Sequence, residues 1–253
     1  MTIRNIHDEG FLTPFHGTCG LHTVRVTSHR YPRVMSKFPH RGFRFGVQAS
    51  RATTAKEWAD LARRAEAHGY DVLTMPDHFT DQLAPVPALM AAADATTDLR
   101  VGALVFDNDY KHPVVLAKEL ATIDLLSEGR LEIGLGAGWM ISDYEESGIP
   151  YDSPKVRIDR FVEGLRVIKG TMGDGPFSFS GDHYTVTNYN GQPKPLQKPC
   201  PPVLIGGGGK RVLSIAAREA DIVGINGTLH AGDRKSTRLN SSHSQQSRMP
   251  SSA

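Results

Sequence analysis

The sequence predicts an α/β fold built on a parallel sheet, and two observations carry that prediction. Short apolar, strand-like runs alternate with amphipathic helical segments from residue 43 to about residue 232. Glycine-rich turns follow strands, as in Gly134-Leu135-Gly136-Ala137-Gly138 and Gly206-Gly207-Gly208-Gly209. Successive strands joined through helices run parallel with right-handed crossovers, in a sheet that is either open or closed into a barrel.

The elements follow in order. Phe43-Arg44-Phe45-Gly46-Val47-Gln48 alternates as a first strand. Thr53 or Thr54 caps a helix that sets Trp58, Leu61, Ala62 and Ala65 on one face, and Gly69 ends it. Residues 70–75 form a second strand, followed by Pro76-Asp77-His78-Phe79, and a short helix over 88–95 leads to a third strand at 99–106. Beyond the polar loop Asp107-Asn108-Asp109-Tyr110-Lys111-His112-Pro113, a helix aligns Leu116, Leu120 and Ile123 and feeds a strand at 131–135. A loop over 141–153 precedes a helix with Ile158, Phe161, Val162, Leu165 and Ile168 on one face. Residues 176–195 break the rhythm and read as an inserted β-hairpin. Val203-Leu204-Ile205 is the next buried strand, Leu213, Ala216, Ala217 and Ala220 share the face of its helix, and residues 221–225 make a sixth main strand.

Domain boundaries come from where this rhythm starts and stops. Residues 1–40 are rich in His, Arg, Thr and Pro and show no period, so they are expected to lie outside the fold, with Met35 as an alternative start. Residues 41–232 form the patterned domain. About six β/α units are present there, whereas an eight-unit barrel takes about 250 residues. The Ser-, Arg- and Gln-rich segment 233–253 cannot supply the other two. Its opening run resembles the translation of a sequencing adapter, and it is expected to be an artefactual, disordered tail.

Composition narrows the function classes. A net charge of +2 over 253 residues indicates no nucleic-acid groove. Cys19 and Cys200 make neither a disulfide framework nor a metal-ligand set, so no metal is expected, and a cytoplasmic location is. No run reaches the ~18 apolar residues of a membrane span.

The glycines at 134, 136 and 138 remove side chains from one face of a buried strand. Either a neighbouring layer packs closely there or a flat ligand approaches the backbone. The spacing is G-x-G-x-G rather than the dinucleotide fingerprint G-x-G-x-x-G, which argues against a Rossmann site. Gly206, Gly207, Gly208 and Gly209 open a helix and either cradle a phosphate or form a plain turn. Asp77 and His78 stand at the C-terminal end of a strand, where barrel enzymes keep their chemistry, and histidine is the side chain whose unperturbed pKa lies near neutrality. His78 then handles a proton, or it only orients a loop.

Taken together, the Pro76-Asp77-His78-Phe79 turn, the run Ser127-Glu128-Gly129-Arg130-Leu131-Glu132-Ile133-Gly134-Leu135-Gly136-Ala137-Gly138-Trp139 and the Ile205-Gly206-Gly207-Gly208-Gly209 turn resemble the luciferase-like monooxygenase superfamily. The Asp107–Pro113 loop is similar to that of its coenzyme F420-dependent oxidoreductases. The resemblance implies a TIM (β/α)8 barrel of the bacterial luciferase-like type, incomplete here, with a hairpin insertion. It also implies hydride transfer between coenzyme F420 and a small organic substrate, with FMN and dioxygen as the alternative and a homodimer as the assembly. A non-catalytic fragment is the reading from a different class.

Carried onto this chain, the resemblance makes Asp77 and His78 the catalytic pair. Cofactor contacts fall to Leu104, Val105, Asp107, Asn108, Gly136, Gly138, Ser142, Gly206, Gly207, Gly208 and Gly209. A non-prolyl cis peptide is implied at Leu104-Val105. Trp139 stands where sugar-phosphate dehydrogenases of the family carry a glutamate, which argues for an apolar substrate against that ring.

Overall fold

The computed structural model describes residues 2–5 and 43–225, the first group as a backbone strand only. The rest of the expected leader, the boundary near Gly232 and the 233–253 tail lie outside the described residues.

In chain order the elements are β1 (Thr2–Asn5), β2 (Phe45–Gln48), α1 (Ala55–Ala67), β3 (Val72–Met75), α2 (Pro85–Asp94), β4 (Arg100–Ala103), β5 (Phe106–Asp107), α3 (Pro113–Leu126) and β6 (Leu131–Gly136). There follow α4 (Ile141–Ser147), α5 (Pro154–Met172), the hairpin strands β7 (Phe177–Ser180) and β8 (Thr185–Tyr189), β9 (Val203–Gly206), α6 (Lys210–Glu219) and β10 (Ile222–Gly224). The main sheet runs β1-β2-β3-β4-β6-β9-β10, parallel throughout, with β5 pairing β6. Apart from β1 and β5, this is the strand order of a (β/α)8 barrel through six of its units. Because every strand runs the same way, all their C-terminal ends open on one rim.

Local signals explain the boundaries. Thr54 Oγ1 accepts the Glu57 N–H at 3.1 Å and Glu57 Oε2 accepts the Thr53 N–H at 2.7 Å, so the start of α1 is capped from both sides. Gly69, at φ 76°, turns the chain out of α1. Trp58, Ala62 and Ala65 are buried on the predicted face, and Trp58 Nε1 donates to the Ala88 carbonyl at 2.8 Å, tying α1 to α2. Strands β3 and β6 are buried at every position, as parallel strands covered on both faces are.

Four details differ from expectation. The segment Thr2–Asn5 adds to the sheet edge beside β2, which needs only backbone donors and acceptors and leaves no periodic trace. The third main strand is split into β4 and β5 around the Leu104-Val105 bond, which is itself cis as expected. Val101 faces Leu131 and Phe106 faces Leu135, so five steps along β4–β5 oppose four along β6, the register of a bulge. The expected loop 141–153 contains α4, which the left-handed Gly148 at φ 75° terminates. On α6 burial centres on Ile215 and Ala216 while Ala217 is exposed, because the larger isoleucine claims the core-facing position.

Candidate active site

The rim formed by the strand ends gathers most of the expected residues. Asp77 and His78 follow β3, the cis bond and Asp107 close β4–β5, Gly136 ends β6 with Gly138 and Trp139 after it, and Gly206 ends β9 and opens the glycine turn.

His78 has a partner that the sequence did not advertise. Its Nδ1 lies 2.6 Å from Asp143 Oδ2, in the first turn of α4. Asp143 is buried, and its carboxylate also accepts the Tyr110 hydroxyl at 2.9 Å and the Phe79 N–H at 3.3 Å. A carboxylate only accepts, so Nδ1 carries the hydrogen and Nε2 is the nitrogen left to exchange a proton. The Trp139 indole meets the imidazole edge to face at a centroid distance of 5.6 Å and is 51% exposed. Phe79, 49% exposed, leans on Tyr110 at 4.5 Å. An orienting acid, an imidazole and aromatic walls thus occur together on the rim, whereas Ser142 is exposed on α4.

Beneath them lies a chain of buried polar groups. Asp77 Oδ2 accepts the Asp107 N–H at 3.2 Å. Asp107 Oδ1 accepts the Asp109 N–H at 2.9 Å, and its Oδ2 lies 3.0 Å from the Tyr144 hydroxyl. Asp109 is clasped by Arg160 through two bonds of 2.7 and 2.8 Å. Burial, above all, raises Asp77 to about 6 and Asp107 to about 7, each from 3.8. Asn108, expected on the cofactor, instead sends Nδ2 to the Tyr184 hydroxyl at 3.2 Å, with its carboxamide against Gly164. The side chains of Asp107 and Asn108 are therefore committed to protein partners.

These shifts fix a pH dependence. Both folded values exceed the unfolded one, so the native state keeps protons that the unfolded chain releases above about pH 4. Their stabilising effect is complete below pH 4 and is lost as pH rises through 6 for Asp77 and 7 for Asp107. The shift at Asp107 corresponds to a loss on the order of 4 kcal/mol. Glu66 and Glu163, each taking three backbone N–H groups, are shifted down, so their contribution disappears only as pH falls below the usual carboxylate range. Urea unfolding should therefore show stability declining from pH 5 to pH 8, with Asp107→Asn flattening the slope; a wild-type profile rising over that interval would contradict the assignment.

The β6 glycines resolve towards packing. A Cβ on Gly134 would strike the Ala103 carbonyl, one on Gly136 the Val105 side chain, and one on Gly138 the Tyr144 hydroxyl. The cleared space is filled by the protein's own atoms, and Gly138, at φ 73°, is also in the left-handed region.

With this geometry established, the comparison with known proteins decides the family. Residues 40–248 match the family model described as luciferase-like monooxygenase. The chain belongs to that family.

Within the luciferase-like family, the chain is 32% identical over 173 residues to the FMNH2-dependent dimethylsulfone monooxygenase of Pseudomonas putida, covering 66% of this chain and 47% of the relative. It is 29% identical over 177 residues to the F420-dependent glucose-6-phosphate dehydrogenase of Amycolatopsis mediterranei, covering 66% and 52%. The chain spans about half the length of the curated relatives it matches. Its fold superposes on the coenzyme F420-dependent tetrahydromethanopterin reductase of Methanopyrus kandleri with a TM-score of 0.64 at 24% identity, over 71% of this chain and 55% of that one. An F420-dependent secondary alcohol dehydrogenase gives 0.65 at 24% identity, over 71% and 57%. These structural likenesses speak for the fold.

The glycine turn of this luciferase-like chain differs from β6. No side chain caps α6, and a Cβ on Gly209 would meet nothing within 4 Å. First-turn amides and open space are what a phosphate group requires. Gly207 is tighter, since its Cβ would lie 2.6 Å from a Val212 methyl. Among the described residues no helix is long and apolar enough to cross a membrane.

Proposed function

We propose that this luciferase-like protein is a hydride-transferring oxidoreductase acting between coenzyme F420 and a small organic substrate, with His78 exchanging the proton. The observation that carries the reading is the His78–Asp143 pair at the strand-end rim. Asp143 holds the imidazole in one tautomer, so Nε2 takes a proton from an alcohol as hydride leaves it, or returns one in the reverse direction. Trp139 walls the substrate side with an apolar face, which suits an uncharged substrate better than a sugar phosphate. Asp77, whose Oδ2 accepts the Asp107 N–H, stands beside His78 as the second member of the catalytic pair.

The residues that would hold the cofactor are the Leu104-Val105 backbone, Gly206 to Gly209 at the start of α6, and Ser142. The open position at Gly209 and the uncapped helix start fit a phosphate group. Bound there, F420 supplies two-electron hydride chemistry and FMN adds the activation of dioxygen. The second reading, an FMN-dependent monooxygenase, is favoured by the name of the Pseudomonas putida relative.

Fluorescence titration of the full chain with F420 and with FMN tests both. Saturable F420 binding is expected. Gly209→Asp should lower affinity about tenfold or more by setting a carboxylate against the phosphate, yet it should stabilise α6 slightly, because Asp caps a helix better than Gly. Preference for FMN with dioxygen uptake would move the assignment to the monooxygenase, and a folded chain that binds neither would refute both.

A further inference from the structure

We propose that Asp107 is a positioning residue held as a neutral carboxylic acid, and that through Tyr144 and α4 it keeps Asp143 on His78. The proposal rests on the role given to His78 above, but its test does not need the cofactor.

A count of protons around the Tyr144 hydroxyl fixes the state of Asp107. The Tyr144 hydroxyl lies 3.0 Å from Asp107 Oδ2 and 3.2 Å from Asp109 Oδ2. A phenol has one hydrogen, and two ionised carboxylates cannot both accept it. Asp109 is the ionised member, since Arg160 grips both of its oxygens. Tyr144 keeps its own proton, because burial pushes it well above the usual tyrosine range. Both contacts are satisfied in one arrangement: Asp107 donates its O–H to the Tyr144 oxygen, and Tyr144 donates to Asp109.

The charged groups around Asp107 leave it neutral. From the end of β3 come Asp77 and His78, from its own loop Asp109, Tyr110 and Lys111, from α4 Asp143 and Tyr144, and from α5 Arg157 and Arg160. The cations are engaged by other groups: Arg160 by Asp109 and Asp152, Lys111 by Glu119, and Arg157 by the Gly138 carbonyl at 2.7 Å and by the Tyr144 hydroxyl. Burial raises Asp107 to about 7, in agreement with the count.

The consequence reaches His78 through a short path. Tyr144 is the buried anchor of a seven-residue helix, and the residue before it, Asp143, orients the imidazole. Ionising Asp107 sets a second negative charge against a hydroxyl whose hydrogen already serves Asp109. That repulsion pushes Tyr144 away and carries Asp143 with it.

Nitrogen–proton NMR of the imidazole side chains, with His78 assigned by its loss in His78→Gln, reads the Nδ1–H bond. The carboxyl carbon shift of Asp107, assigned with Asp107→Asn, reads its protonation. Wild type should show a protonated Asp107 and a protected His78 Nδ1–H at pH 6, and loss of both by pH 8.5. Asp107→Asn, whose amide can donate to Tyr144 as the acid does, should keep the protected signal at pH 8.5. Tyr144→Phe should weaken that signal at every pH. An ionised Asp107 at pH 6, or a His78 signal unchanged in wild type between pH 6 and 8.5, would overturn the proposal. Should a variant fail to fold, the wild-type pH series alone decides. Absence of turnover with F420 would strike the functional reading and leave these signals untouched.

Discussion

Gly134→Ala is expected to cost more than about 3 kcal/mol and to leave little folded protein. Strands β4 and β6 nest so closely that the new methyl would collide with the Ala103 carbonyl, while a methyl on Gly102 would collide with the Glu132 carbonyl from the other side. Backbone in the centre of a sheet cannot rotate away as a flexible side chain can. Gly148→Ala provides the contrast. It sits at φ 75° with nothing within 4 Å of the added carbon, so only the conformational cost of about 1 kcal/mol applies. Urea unfolding of the two variants separates steric from conformational causes. Equal losses would show that the β4–β6 contact relaxes and that the fold tolerates a wider spacing.

His78→Gln should reduce turnover about 10²- to 10⁴-fold, the usual contribution of a positioned acid–base group, with cofactor affinity little changed. Glutamine can still donate a hydrogen bond towards Asp143 but cannot exchange a proton. Asp143→Asn should cost less, because the imidazole remains and only its orientation suffers. It should also alter the pH profile of kcat, since the carboxylate that stabilises imidazolium is gone. If His78→Gln retained near-wild-type turnover once a substrate is found, proton exchange would have to be assigned to another group on the rim.

Much of the fold was legible because its signals are local and repeat. The Thr54 cap, the Gly69 stop and the alternation of apolar strands with helices each act within a few residues, and the structure places those elements within a few positions of expectation. Helix α4 escaped because seven residues give less than two full turns of periodicity, although the acid in its first turn and Gly148 after its end are the usual start and stop marks. The partner of His78 escaped with it, since the two residues are 65 positions apart and nothing in either stretch names the other. The β6 glycines show a different limit. Sequence reveals that space is needed beside Gly136 and Gly138, but only packing reveals that Val105 and Tyr144 fill it.

Helix α4 also sets how the site is lost. An isolated helix shorter than ~12–15 residues is marginal in water, so its seven residues persist because Tyr144 is wedged beside Tyr110 and Tyr151 at ring distances of 5.7 and 4.8 Å. Releasing that one ring exposes far less surface than melting the sheet, and such local openings lie at the low end of a protein's stability range. Competence and foldedness are therefore separate quantities in this molecule. Gentle warming or mild denaturant is expected to detach Asp143 from His78 while the strands stay paired, read as loss of the His78 Nδ1–H signal with the circular dichroism unchanged.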